Sequence, residues 1–227
     1  MRLDGTADIV TAGVPAGGPM TALKETTGCV NGDKATVTAG FGTVGLFNGV
    51  SFKHFVADLV AIEYQFYKQT TSPGGCTQNP SSAPYLTFTV TGPVNGVEKT
   101  TNFVLEPTYH PDIDPLIPKD TWLQPFTNST TGRTTNCLTS GGKGISVTGL
   151  NSVFGLTTGY WGDFRCSLAS WVTLLETNGF SDFVNDGTIV GVSVALGSFN
   201  IADTGFVNNV RVASGPYDWT WKFTNIP

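Results

Sequence analysis

Tyr85-Leu86-Thr87-Phe88-Thr89-Val90-Thr91, followed by Asn95-Gly96 and then by Thr100-Thr101-Asn102-Phe103-Val104-Leu105-Glu106, is the stretch that decides the fold. Leu86, Phe88 and Val90 fall on one face of an extended chain, and Tyr85, Thr87 and Thr89 fall on the other. Asn-Gly between two such runs is a strong hairpin signal, because both turn residues tolerate positive φ. The reading is a β-hairpin with one apolar face.

The same period of two recurs on both sides. Val60 to Lys68 places Val60, Ile62, Tyr64 and Phe66 on one face, opposite Ala61, Glu63, Gln65 and Tyr67. Ala35-Thr36-Val37-Thr38-Ala39 is a short strand, and Thr121 to Gln124 is another. Ile189 to Leu196 is uncharged on both faces, as a central strand is. Phe206 to Val212 and Tyr217 to Phe223 are the last two strands. Ser167 to Thr177 is the one segment of helical period, with Leu168, Trp171, Val172 and Leu175 three or four residues apart and Asn178-Gly179 as its stop. Residues 1–34 read as irregular, and 107–119 and 127–144 as long loops. The expected fold is all-β: a single two-sheet antiparallel jelly-roll sandwich over residues 1–227, with one short helix, long loops and an aromatic C-terminal strand in 214–227.

Composition agrees. Thirty-three Thr and 22 Val suit strands, and 28 Gly with 13 Pro suit turns. Charged residues are 13% of the 227, about half the usual share. A net charge of −5 argues against a nucleic-acid binder, which needs a basic face to displace phosphate counterions. No run approaches the ~18 apolar residues of a membrane helix. Met1 to Gly5 lacks the apolar core of a signal peptide. The chain then reads either as cytosolic or as a secreted or cell-surface chain in its mature form, and the dispersed cysteines lead to the second expectation.

Cys29, Cys76, Cys137 and Cys166 form an even, dispersed set without metal-ligand spacing, so two disulfides are expected and zinc is not. Spacing alone leaves three pairings open, with the shorter loops Cys29–Cys76 and Cys137–Cys166 favoured by closure entropy. Asn128-Ser129-Thr130 is a glycosylation sequon in a polar loop.

Catalytic patterns are sparse, and no motif implies a cofactor or metal. Gly40-Phe41-Gly42-Thr43-Val44-Gly45 has dinucleotide-loop spacing, but Leu46-Phe47-Asn48-Gly49 follows in place of a helix, so a glycine-rich loop is the better reading. Gly141-Gly142-Lys143-Gly144 lacks the Ser or Thr of a phosphate loop. His54 and His110 are the two histidines. His110 lies beside Asp112 and Asp114 in a Pro-rich loop that reads as solvated. Glu63, Glu98 and Glu106 stand alone on their strands, without the paired carboxylates of a glycosidase.

The aromatic residues carry the remaining signal. Tyr217, Trp219, Trp221 and Phe223 share one face of the last strand, opposite Asp218, Thr220, Lys222 and Thr224. The stripe reads as core, as a stacking platform for sugar rings, or as a strand that pairs with a neighbouring subunit. The expectation is that it is mostly buried, within the chain or against another copy. Trp122 and Trp161, beside loops, are secondary sugar-platform candidates, while Trp171 lies on the helix's apolar face.

Asp186-Gly187-Thr188-Ile189-Val190-Gly191-Val192-Ser193-Val194-Ala195-Leu196-Gly197-Ser198, then Gly205-Phe206-Val207-Asn208-Asn209-Val210-Arg211-Val212, resembles the closing strands of concanavalin-A-like jelly-roll domains. These are the laminin-G-like and carbohydrate-binding-module-like domains of secreted and cell-surface bacterial proteins. The helix at Ser167–Thr177, Leu105 to Tyr109 and the Leu59 to Tyr64 strand follow the same order, so the likeness spans about residues 35–213. The sequence departs at Asn208, where those domains carry Asp. The resemblance implies a β-sandwich that binds sugars, builds adhesins or filaments, or occasionally catalyses. The expected function is a non-catalytic extracellular structural or adhesive subunit whose partner is itself or an extracellular polysaccharide. A carbohydrate-binding module is the alternative, and a polysaccharide-active enzyme is third.

Overall fold

The Asn95-Gly96 turn forms as the sequence predicts. Both residues take positive φ, 51° and 75°, the left-handed pair that a tight hairpin of matching twist requires. The computed structural model describes residues 6–10, 16, 22–26, 34–37, 50–70, 83–107, 118–123, 126–127, 144–156, 165–197 and 204–221. In chain order its strands are β1 (Thr6–Val10), β2 (Ala22–Thr26), β3 (Lys34–Val37), β4 (Leu59–Lys68), β5 (Tyr85–Val94), β6 (Val97–Leu105), β7 (Trp122–Leu123), β8 (Phe126–Thr127), β9 (Ser146–Val147), β10 (Thr188–Gly197), β11 (Thr204–Ser214) and β12 (Tyr217–Trp221). The helices are α1 (Phe52–Ala57), α2 (Leu150–Phe154), α3 (Leu168–Thr177) and α4 (Ser181–Asp186).

These strands make two antiparallel sheets. One runs β1-β2-β11-β4-β7, with β12 beside β11 and β8 beside β4; the other runs β3-β10-β5-β6-β9. The chain crosses from β2 to β3, back to β4, and over again to β5, and later connections also pass between the two layers of the sandwich. The inner faces meet in one core. Ile62, Tyr64, Phe66, Val207, Val210 and Val212 of the first sheet pack with Leu86, Phe88, Val90, Phe103, Val192 and Val194 of the second, all 2% exposed or less. The all-β two-sheet sandwich is therefore the fold, and the period-two pattern of β4 and β5 marks its inner faces.

Residues 1–34 are not irregular throughout. β1 and β2 form an antiparallel pair, with Asp8 in register with Lys24, and β2 docks on β11. β2, Ala22-Leu23-Lys24-Glu25-Thr26, is made mostly of poor strand formers, so the partner edges, not local preference, make it a strand. Among the described residues, three helices besides the expected α3 are present. α1 and α4 span six residues each and α2 spans five, too short to show a helical period. α1 is held by its buried Phe52, Phe55 and Val56, with Phe52 4.7 Å from Phe103 and Phe55 5.6 Å from Phe88.

α3 matches its sequence signals. The Ser170 N–H donates to the Ser167 Oγ at 3.1 Å, an N-cap that satisfies one orphan donor. Leu168, Trp171 and Leu175 are buried, and Trp171 Nε1 donates to the Ile145 carbonyl at 2.6 Å. The helix ends at Asn178, and Gly179 follows with φ 87°.

One residue on the β4 stripe departs from expectation. Val60 is 63% exposed because Ala61 pairs with Ala213 while Leu59 pairs with Ser214, which leaves Val60 as the extra residue of a bulge. Val190, 42% exposed, is the extra residue of a second bulge, between Ile189 and Gly191.

Candidate functional site

β11 and β12 are joined by a two-residue turn, Gly215-Pro216, with Ser214 opposite Tyr217 and Val212 opposite Trp219. Opposed residues share a face, so Trp219 points to the same side as the buried Val212. It is half-buried against the main core. Tyr217 sits at the hairpin tip and is 41% exposed, so within one chain the expectation of a mostly buried stripe fails there. The two rings stack, with centroids 4.9 Å apart and planes 10° from parallel. Trp221 is opposite Val210 in the ladder, its side chain being outside the described residues, as is all of Phe223.

The other face of the hairpin is ionic. Arg211 donates to both carboxylate oxygens of Asp218, from Nε at 2.9 Å and from Nη2 at 2.8 Å, and reaches Glu63 Oε2 on β4 at 3.5 Å. Bidentate pairing of this kind orients both partners. The guanidinium holds the Asp218 carboxyl below the usual carboxylate range. The sequence marks Glu63 only as a lone carboxylate and Asp218 only as facing away from the aromatic stripe; their meeting at Arg211 stays hidden, because the register that gathers the three spans three strands.

The backbone of β12 has a defined outward side. The pair that closes a two-residue hairpin bonds to itself, and bonding then alternates along an antiparallel ladder. Tyr217, Trp219 and Trp221 therefore turn their backbone groups toward β11, and Asp218 and Thr220 turn theirs away. Among the described residues, no strand lies on that side of β12.

Other residues singled out by the sequence do not gather here. Trp122, on β7, is half-buried, and its ring lies 5.6 Å from Tyr67 at 51°. Tyr67 in turn meets Phe206 edge-on at 6.0 Å, with the Lys24 ammonium 5.9 Å above the Phe206 ring. This small aromatic cluster lies outside the main core. Beside it, Asp120 accepts hydrogen bonds from Tyr67 Oη at 3.1 Å, from the Thr70 N–H at 3.0 Å and from Thr70 Oγ1. The Thr70 bonds, first of all, hold the Asp120 carboxyl low. Burial, followed by the Asp120 contact, pushes the Tyr67 hydroxyl up.

Cys166 is fully buried and exchanges backbone hydrogen bonds with Ile145, at 2.8 and 3.1 Å. No cysteine is free among the described residues. Cys29, Cys76, Cys137, Trp161, Asn128, His110, Asp112, Asp114 and the Gly40–Gly45 loop lie outside the described residues. So do Gly141, Gly142 and Lys143 of the other glycine-rich run. His54 is exposed on α1. Glu106, just past β6, is raised by burial, an effect that Arg165 opposes.

No group of three or more His, Cys, Asp or Glu is placed to hold a metal among the described residues. Likewise, no helix there is long and apolar enough to cross a membrane. The chain matches no family model, no curated protein and no solved structure.

Proposed function

We propose that this chain is a non-catalytic extracellular β-sandwich subunit with a structural or adhesive role, associating through its strand edges and above all through β12. One observation carries this reading. The last described strand has an outward backbone side with no strand beside it among the described residues, and it bears an exposed aromatic residue at its tip. Natural sheets blunt such edges with Lys, Pro or a bulge. Within Tyr217–Trp221 there is no Lys or Pro, and the register runs without a break. The extracellular setting and two disulfides belong to the same proposal. The even cysteine set and the full burial of Cys166 support both. Kinship with concanavalin-A-like domains is proposed from the β10 and β11 sequence pattern.

Ring geometry weighs against the polysaccharide alternative. A sugar platform needs ring faces side by side and open. Tyr217 and Trp219 instead turn a face toward each other, and Trp122 rests on Tyr67. The enzymatic alternative has less support, since Glu63 is engaged by Arg211.

Light scattering across the micromolar range, run beside native gels containing soluble polysaccharides, tests the proposal. The expected result is a particle heavier than one chain whose mobility is unchanged by polysaccharide. A monomer retarded by a polysaccharide overturns the reading in favour of a carbohydrate-binding module.

A further inference from the structure

We infer that the partner of β12 is the β12 strand of a second copy, paired antiparallel about a two-fold axis at Trp219, so that association closes at a dimer. This inference rests on the self-association reading above and specifies its partner and geometry.

The outward backbone groups belong to Asp218 and Thr220, two residues apart. Antiparallel pairing about Trp219 brings Asp218 opposite Thr220 of the other copy, and Thr220 opposite its Asp218. These are the two hydrogen-bonded pairs of a short ladder, four bonds in all. Trp219 then faces its own counterpart at the close, non-hydrogen-bonded position, and Tyr217 faces Trp221. Trp219 against Trp219 is an aromatic pair, a favourable cross-strand combination.

Charge selects this register over its neighbour. Sliding the strands so that Asp218 meets Asp218 would oppose like charges directly, which destabilises a ladder. With the axis at Trp219, each Asp218 meets a neutral Thr, and its own charge is offset in part by Arg211, which Glu63 shares. Thr220 is exposed and stands opposite Arg211 within its own chain.

Closure follows from symmetry. A two-fold contact uses the same edge on both copies and leaves neither edge open for a third. Stable interfaces bury about 800 Å² per partner. Five residues of strand with their aromatic side chains fall below that, so the dimer dissociates in the micromolar range.

Sedimentation equilibrium over a concentration series tests the inference on the full chain, on Thr220→Pro and on Thr220→Asp. Proline removes an N–H that β11 does not use, and edge strands tolerate it where the N–H faces solvent. Aspartate leaves the backbone intact but sets two like-charge pairs across the axis. The native chain should rise with concentration from 24.0 kDa to twice that mass and stop. Both variants should fold, as judged by near-ultraviolet circular dichroism, and dimerise at least about tenfold more weakly, the equivalent of two ordinary hydrogen bonds. Should Thr220→Pro not fold, Thr220→Asp decides alone. A dimer that persists in folded Thr220→Asp refutes the β12 contact but keeps self-association. Mass that keeps growing beyond two chains refutes closure alone. A native chain that stays monomeric at every concentration refutes this inference and the self-association reading together.

Discussion

Arg211 and Asp218 clasp across the β11–β12 hairpin through two parallel hydrogen bonds of 2.9 and 2.8 Å, seven residues apart in sequence. The clasp lies on the face opposite the Tyr217–Trp219 stack. It ties the last strand to the sheet, and through the 3.5 Å contact with Glu63 it extends to β4. The clasp offsets part of the Asp218 charge that would otherwise guard this edge against pairing, Arg211 being shared with Glu63.

Acid should loosen this clasp. A carboxylate held below its unfolded pKa, about 3.9 for Asp, contributes stability above that value and loses it as pH falls through the folded one. Asp218 is lowered by Arg211, and Asp120 by Thr70. Urea midpoints measured from pH 7 downward should therefore drop once pH passes below about 4. Asp218→Asn should make that drop shallower. An identical acid slope in the variant would show that the clasp adds nothing to folding.

Glu106 should behave in the opposite sense. Burial raises its pKa and outweighs Arg165. A raised acid binds its proton more tightly in the folded chain, so its ionisation takes stability away. That loss begins near the unfolded value, about 4.3, and is complete above the folded one. Glu106→Gln should match or exceed the native chain in thermal midpoint at pH 7. A marked fall at pH 7 would mean that the ionised carboxylate is needed by Arg165.

Two neighbours on β4 should respond very differently to substitution. Val60 is the expelled residue of a bulge and is 63% exposed, whereas Ile62 is wholly buried. Val60→Thr should change unfolding free energy by less than about 0.5 kcal/mol. Ile62→Ala should cost about 2–5 kcal/mol. Equal effects in denaturant titrations would mean that the bulge is not where the register puts it.

The cysteine proposal is checked by mass. Under denaturing, non-reducing conditions the chain should be lighter than its reduced form by two hydrogens per bridge, and two bridges are expected. Cys166→Ser should cost about 2–5 kcal/mol, the usual loss for a native disulfide. Four thiols open to alkylation in the untreated, unfolded chain would exclude both bridges.

The sequence carried most of the sandwich because three signals are local. Alternation in Ile62-Glu63-Tyr64-Gln65-Phe66, the Asn95-Gly96 turn and the Asn178-Gly179 stop each act within a few residues, and each is realised. What stayed hidden depends on partners far along the chain. β2 is a strand because β11 lies beside it, and α1 is a helix because Phe52 and Phe55 have a core to enter. The bulges that expel Val60 and Val190 are set by pairing register, which no single strand encodes. At the candidate site, the shared face of Tyr217 and Trp219 could be read from the sequence. Their mutual stacking, the exposure of Tyr217 and the Arg211 clasp could not.

β11 lies in the middle of its sheet, between β2 and β4, although it comes from residues 204–214 of a 227-residue chain. During synthesis five of the seven described strands of that sheet emerge with no centre to join. β4 must wait on the ribosome's pace for a partner more than 130 residues downstream, from Leu59–Lys68 to Thr204–Ser214. Pairing of such high contact order is slow, and β4 keeps the edge that β11 will fill unpaired throughout the wait. Nascent chains stalled before residue 204 should be the ones that holding chaperones capture, and release should follow only once β11 has been made.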